Sequence, residues 1–123
     1  EEWYYHMRCR PTFENTTAIL SSKPPVETLN RSGSRGTNPT VQAAVEAGEP
    51  QIMAWAYERP NGGRGFGFTG GHFHENWQQD DFRKLVLNAL CWTAKAPIPA
   101  EGITSRTPTT TDMNLNQDQK ENR

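Results

Sequence analysis

Apolar residues are concentrated at 1–22, 50–70 and 82–98, and their spacing differs from one stretch to the next. In EEWYYHMRC, residues 1–9, Trp3, Tyr5 and Met7 alternate with Tyr4, His6 and Arg8. That period of two predicts a strand with one mostly apolar face. TAILSS, 17–22, predicts a second, shorter strand. QIMAWAY, 51–57, opened by Pro50, predicts a third, and RGFGFT, 64–69, its partner. The linker ERPNGG holds Pro60, which presets φ, and Asn61-Gly62, which suits a tight hairpin turn, so the two strands are expected to be antiparallel neighbours. Gly65 and Gly67 alternate with Phe66 and Phe68, leaving one strand face almost without side chains and open to close approach by backbone or ligand.

The strongest helical pattern is DDFRKLVLNALCWTAK, about 80–95, where Phe82, Leu85, Val86, Ala89, Leu90 and Thr93 recur at threes and fours. Asp80 is its expected N-cap, Asp81 and Lys95 suit the two ends of its dipole, and Ala96-Pro97 ends it. Between these elements, residues 23–49 carry PP, RSGSRG and NP and read as a long polar loop, with room for a short helix at 40–47 ended by Gly48. Residues 99–123 have no period and read as a polar tail, mobile or wrapped on the surface.

At 123 residues the chain is the length of one domain, yet only 33% of it is hydrophobic. Polar stretches bury too little to offset the entropy of ordering them, which fits part of a larger domain better than a self-sufficient one. The 13 basic and 14 acidic residues are well mixed, so no basic stripe points to nucleic acid. No apolar run approaches the roughly 20 residues of a membrane span. The N-terminus lacks the order of a signal peptide, which leaves cytoplasmic, periplasmic and secreted locations open. Cys9 and Cys91 form no metal-finger spacing; Cys91, in LVLNALCW, reads as a small buried hydrophobe, and a disulfide between them has nothing in the sequence to favour it.

Candidate chemistry gathers in GGHFHENWQQ, 70–79, where the glycine strand passes into the helix. Such junctions are the usual place for ligand contact in α/β sheets. His72 and His74, two apart on an extended backbone, point the same way and with Glu75 could ligate a zinc-like metal, although His-x-His alone supplies too few ligands. The alternative is that one imidazole bonds a backbone carbonyl and the other is exposed. Trp77 and Phe73 could stack on a sugar, or Trp77 could instead pin the helix N-terminus to the core. Glu1 or Glu2 meeting His72 would make a general acid or base. GxSxG, P-loop and dinucleotide-fold signatures are missing.

Three stretches together resemble the C-terminal half of a ThuA-like (trehalose-utilisation) domain over about residues 1–98. In the first, Glu1-Glu2-Trp3-Tyr4 matches that family's acidic pair followed by an aromatic residue and Tyr. In the second, QIMAWAYERPNGGRGFGFTGGH, the matching features are Trp55, Gly63-Arg64 and Gly71-His72. In the third, the helix ending, they are Leu90 to Ala94. The resemblance implies a flavodoxin-like α/β three-layer sandwich, similar to class I glutamine amidotransferases, whose N-terminal half is a missing partner. The amidotransferase cysteine would lie in that half. It also implies carbohydrate utilisation, with trehalose or a related glycoside as small ligand and a hydrolase or lyase pocket at the 70–79 loop. Glu2 and His72 would be the catalytic groups. Tyr4, Trp77, Arg64 and Asn76 would bind substrate, and a divalent metal such as zinc on His72 and His74 is a further expectation. The second expectation is a non-catalytic sugar-binding or interaction module, in which Trp77 and Phe73 matter and His72 is structural.

Overall fold

The computed structural model describes residues 2–8, 13–30 and 38–115. They fall into two compact units, Glu2–Gly70 and the residues from Gly71 onward. Helix and strand are mixed, and the strands form one three-stranded antiparallel sheet in the order β1-β2-β3.

In the first unit, β1 (Thr16–Ser22) and β3 (Arg64–Phe68) flank β2 (Gln51–Glu58). Central β2 carries Ile52, Trp55 and Tyr57, which suit a strand, and holds the fully buried Ala54. Its register with β3 sets Ala54 opposite Phe68 and Ala56 opposite Phe66 on one face, and Trp55 opposite Gly67 and Tyr57 opposite Gly65 on the other. Phe66 and Phe68 stack at 6.4 Å, and Trp3 meets Phe68 edge-on at 5.3 Å. That face is therefore aromatic and packed. β1 is exposed along nearly its whole length, Ile19 and Leu20 included.

Residues 23–30 and 38–49 are more ordered than their composition suggests. Val26–Asn30 is a 3-10 turn, and α1 (Pro39–Glu46) packs against it. Asn38 caps α1 by accepting hydrogen bonds from the Thr40 and Val41 amides, with Pro39 at the first position. Ala44 and Val45 are buried. Residues 31–37 of the loop lie outside the described residues, as do Glu1, Cys9 and the tail beyond 115.

In the second unit, a 3-10 turn (His74–Gln78) leads into α2 (Asp80–Thr93), and α3 (Thr110–Asn114) follows. Thr109 and Asp112 form a capping box on α3: the Thr109 hydroxyl accepts the Asp112 amide, and the Asp112 carboxylate accepts the Thr109 amide. Arg106, 2.8 Å away, and the Thr109 amide hold the Asp112 carboxyl well below the usual carboxylate range. Met113 is buried in this unit.

Several expectations need correction. Residues 2–8 form no strand; His6, at φ 58, breaks the extended run that alternation predicted. The hairpin turn is a three-residue loop: the Gly62 amide bonds the Arg59 carbonyl, the Arg59 amide bonds the Gly63 carbonyl, and Gly62, not Asn61, takes the positive φ. α2 is N-capped by Gln79, without a side-chain bond, while Asp80 sits in the first turn. Leu90, placed by periodicity on the apolar stripe, is 61% exposed, and Arg83 is the buried residue of this helix. Cys91 is only half-buried, as a free thiol.

α1 and α2 end in the same way but with different residues. Beyond α1, the Gly48 amide bonds Val45 O and the Glu49 amide bonds Ala44 O; beyond α2, the Lys95 amide bonds Trp92 O and the Ala96 amide bonds Cys91 O. Both are Schellman motifs, which need a left-handed residue just past the helix. Glycine supplies it at Gly48 (φ 65), whereas Lys95 (φ 57) does so against its own Cβ. Replacing Lys95 by Gly is expected to stabilise the chain by about 0.5–1 kcal/mol, readable as a higher midpoint in thermal unfolding.

Candidate functional site

The 70–79 loop holds most of the expected site, and its own contacts account for much of its polarity. Asn76 Nδ2 donates to Phe73 O at 3.0 Å and closes the 3-10 turn. His74 Nε2 lies 3.1 Å from Met113 O, tying the turn to the end of α3. Trp77 meets Phe82 edge-on at 5.1 Å, fixing the turn to the first turn of α2. These contacts give His74, Asn76 and Trp77 structural tasks. His72 is exposed, with Phe73 edge-on against its ring at 4.8 Å. Among the described residues no three His, Cys, Asp or Glu side chains gather in a way that could hold a metal ion.

The other expected residues lie in the first unit. Glu2 is half-buried and Tyr4 is 38% exposed. Arg64 sits at the mouth of the hairpin, opposite Glu58 in register, and its Nε lies 3.3 Å from Glu58 Oε1. The expected set is therefore divided: Glu2, Tyr4 and Arg64 in one unit, His72, His74, Asn76 and Trp77 in the other.

The first unit has a site of its own on the second face of the β2–β3 hairpin. Trp55 and Tyr57 project from β2 beside Gly67 and Gly65. A Cβ built on Gly67 would lie 2.1 Å from Trp55 Cε2, so the indole lies across the bare backbone there. Gly65 is different: a Cβ there would meet nothing within 4 Å. The two glycines thus do opposite things, Gly67 accepting the indole and Gly65 leaving a gap. The gap belongs to a groove of about 390 Å³ walled by Trp55 and Tyr57, with Thr16, Met7 and Arg8 also lining it. That volume lies within the range of small-ligand sites. Arg59, which is not among the described residues lining the groove, lies 5.9 Å over the Tyr57 ring.

The sequence pointed to the glycine face and to Trp55 but did not identify Tyr57, Thr16, Met7 and Arg8 as its surround. The strand register could have supplied Tyr57, since a short hairpin fixes the 55/67 and 57/65 pairs. Nothing local could have supplied Arg8, which comes from a segment remote in sequence. No helix among the described residues is long and apolar enough to cross a membrane. No family model, curated protein or solved structure matches this chain.

Proposed function

We propose that this chain is part of a ThuA-like domain of carbohydrate utilisation, within a flavodoxin-like sandwich, and that its described residues contribute a sugar-binding surface. The observation that carries this reading is the groove between Trp55 and Tyr57 over the open Gly65 backbone. The face of an aromatic ring is electronegative, and the C–H face of a sugar ring, polarised by its oxygens, stacks on it favourably. A strand lacking side chains at Gly65 lets such a ring come down to the backbone.

Turnover would fall to His72, which stands on the strand-to-helix loop where the resemblance places a functional histidine. There it would act as general acid or base. A purely binding role is favoured by a separate observation: none of the described residues lining the hairpin groove carries a carboxylate or an imidazole. Titration of the intact protein with a panel of glycosides, followed by product analysis, tests both. His72→Ala is expected to keep sugar affinity and lose turnover by at least about a hundredfold, the usual share of a general acid or base. Unchanged turnover would leave sugar binding as the function; no binding by the wild-type protein would overturn the reading.

A further inference from the structure

The charge of the groove carries a second step, which rests on the carbohydrate reading above. Among the described residues that line the groove, Arg8 is the one charged at neutral pH, and it is exposed. The ion pairs among the described residues involve Arg64, Arg83 and Arg106, not Arg8. Its neighbours in the lining are rings, a thioether, a hydroxyl and bare backbone. The Thr16 hydroxyl is itself turned to the Glu14 carbonyl at 3.4 Å. A guanidinium at the rim of a mostly apolar groove, with no carboxylate among the described lining residues, is complementary to an anion. Trp55, Tyr57 and the Gly65 floor are complementary to a flat ring. A ligand that satisfies both carries the two features on one small molecule.

We propose that the groove selects an acidic sugar, its ring laid on the Gly65 floor between Trp55 and Tyr57 and its anionic substituent on the Arg8 guanidinium. A neutral sugar would use the rings and leave the cation hydrated. A simple anion would use the cation and leave the rings bare. The anionic substituent can be a carboxylate or a phosphate; what Arg8 recognises is the oxyanion that both share.

The test is calorimetric titration of the wild-type protein and Arg8→Gln with glucuronate, glucose 6-phosphate, glucose and acetate, at low and moderate salt. At least one acidic sugar is expected to bind about tenfold or more tightly than glucose, the contribution of one charge-assisted contact. That preference should weaken with salt and vanish in Arg8→Gln, whose affinity for the acidic sugar falls to its own affinity for glucose. The ratio of glucuronate to glucose 6-phosphate identifies which oxyanion fits. Because Arg8 is exposed, the variant should fold normally, which its circular dichroism and Trp fluorescence verify. Equal affinity for glucose and both acidic sugars would overturn the acidic-sugar assignment and leave the carbohydrate reading standing. So would a preference that survives in Arg8→Gln, or acetate binding as tightly as the acidic sugars. No binding of any sugar would overturn both.

Discussion

Replacing Arg83 by Met should destabilise the second unit by about 2–3 kcal/mol, more than any substitution on the exposed faces of α2. Arg83 is only 6% exposed, and its guanidinium is shared among several partners. Nε donates to the Ser105 hydroxyl at 2.9 Å and Nη1 to the Trp77 carbonyl at 2.8 Å. Nη2 reaches the Asp80 carboxylate and the Thr107 hydroxyl, and that hydroxyl donates to Asp80 at 2.6 Å. One side chain thus joins the 3-10 turn, the first turn of α2 and the 105–107 segment. Asn88 adds a second tie by accepting the Ile103 amide at 2.8 Å. Met matches the stem of Arg83 but leaves these acceptors without their donor. Asp80 is largely exposed and can rehydrate, which keeps the cost below that of a fully buried pair. Urea unfolding measures the loss, and faster amide exchange at 103–107 should accompany it.

The same network sets an acid dependence. The Thr107 hydroxyl and Arg83 hold the Asp80 carboxyl below its ordinary range, against a smaller opposing effect of burial. A carboxyl depressed in the folded state stabilises it fully above its unfolded value, at about pH 4, and loses that contribution as pH falls through the folded value. Wild-type stability should therefore fall below about pH 4 more steeply than that of Arg83→Met.

The second large effect concerns the two glycines of β3. Gly67→Ala should cost about 1–3 kcal/mol, because the new methyl would clash with the Trp55 indole and force it off the strand. The Trp fluorescence maximum should shift as the ring is displaced. Gly65→Ala, two residues away, should be neutral or stabilising by about 0.5–1 kcal/mol, since its Cβ enters open space and a strand favours a side chain over none. Equal losses at the two positions would contradict the division of tasks between them.

Local signals were legible where one element's own residues determine it. The β2–β3 pairing follows from two alternating runs and a Pro-Asn-Gly loop, and α2 follows from its period and its acidic first turn. The N-terminal strand failed because alternation at Trp3, Tyr5 and Met7 says nothing of the left-handed turn at His6. Leu90 failed because a period gives a stripe but not how far it is covered: Phe82, Leu85, Val86 and Ala89 are half-buried, whereas Leu90 is exposed. The segment after Pro97 has no apolar period, since polar contacts to Asp80, Arg83 and Asn88 hold it in place. Its one local signal, Thr109 followed three residues later by Asp112, is a capping box.

In the candidate site, the imidazoles and indole of the 70–79 loop drew attention by composition, whereas His74, Asn76 and Trp77 are engaged in holding the loop itself. The bare face at Gly65 was legible in the sequence, but the groove over it was not, because Met7, Arg8 and Thr16 reach it from outside the hairpin. The measurement that tests the account most directly is sugar titration of Gly65→Val alongside its thermal unfolding. The account predicts a protein at least as stable as wild type, because valine suits a strand, that no longer binds any sugar the wild type binds. A stable Gly65→Val that binds sugar with unchanged affinity would contradict it.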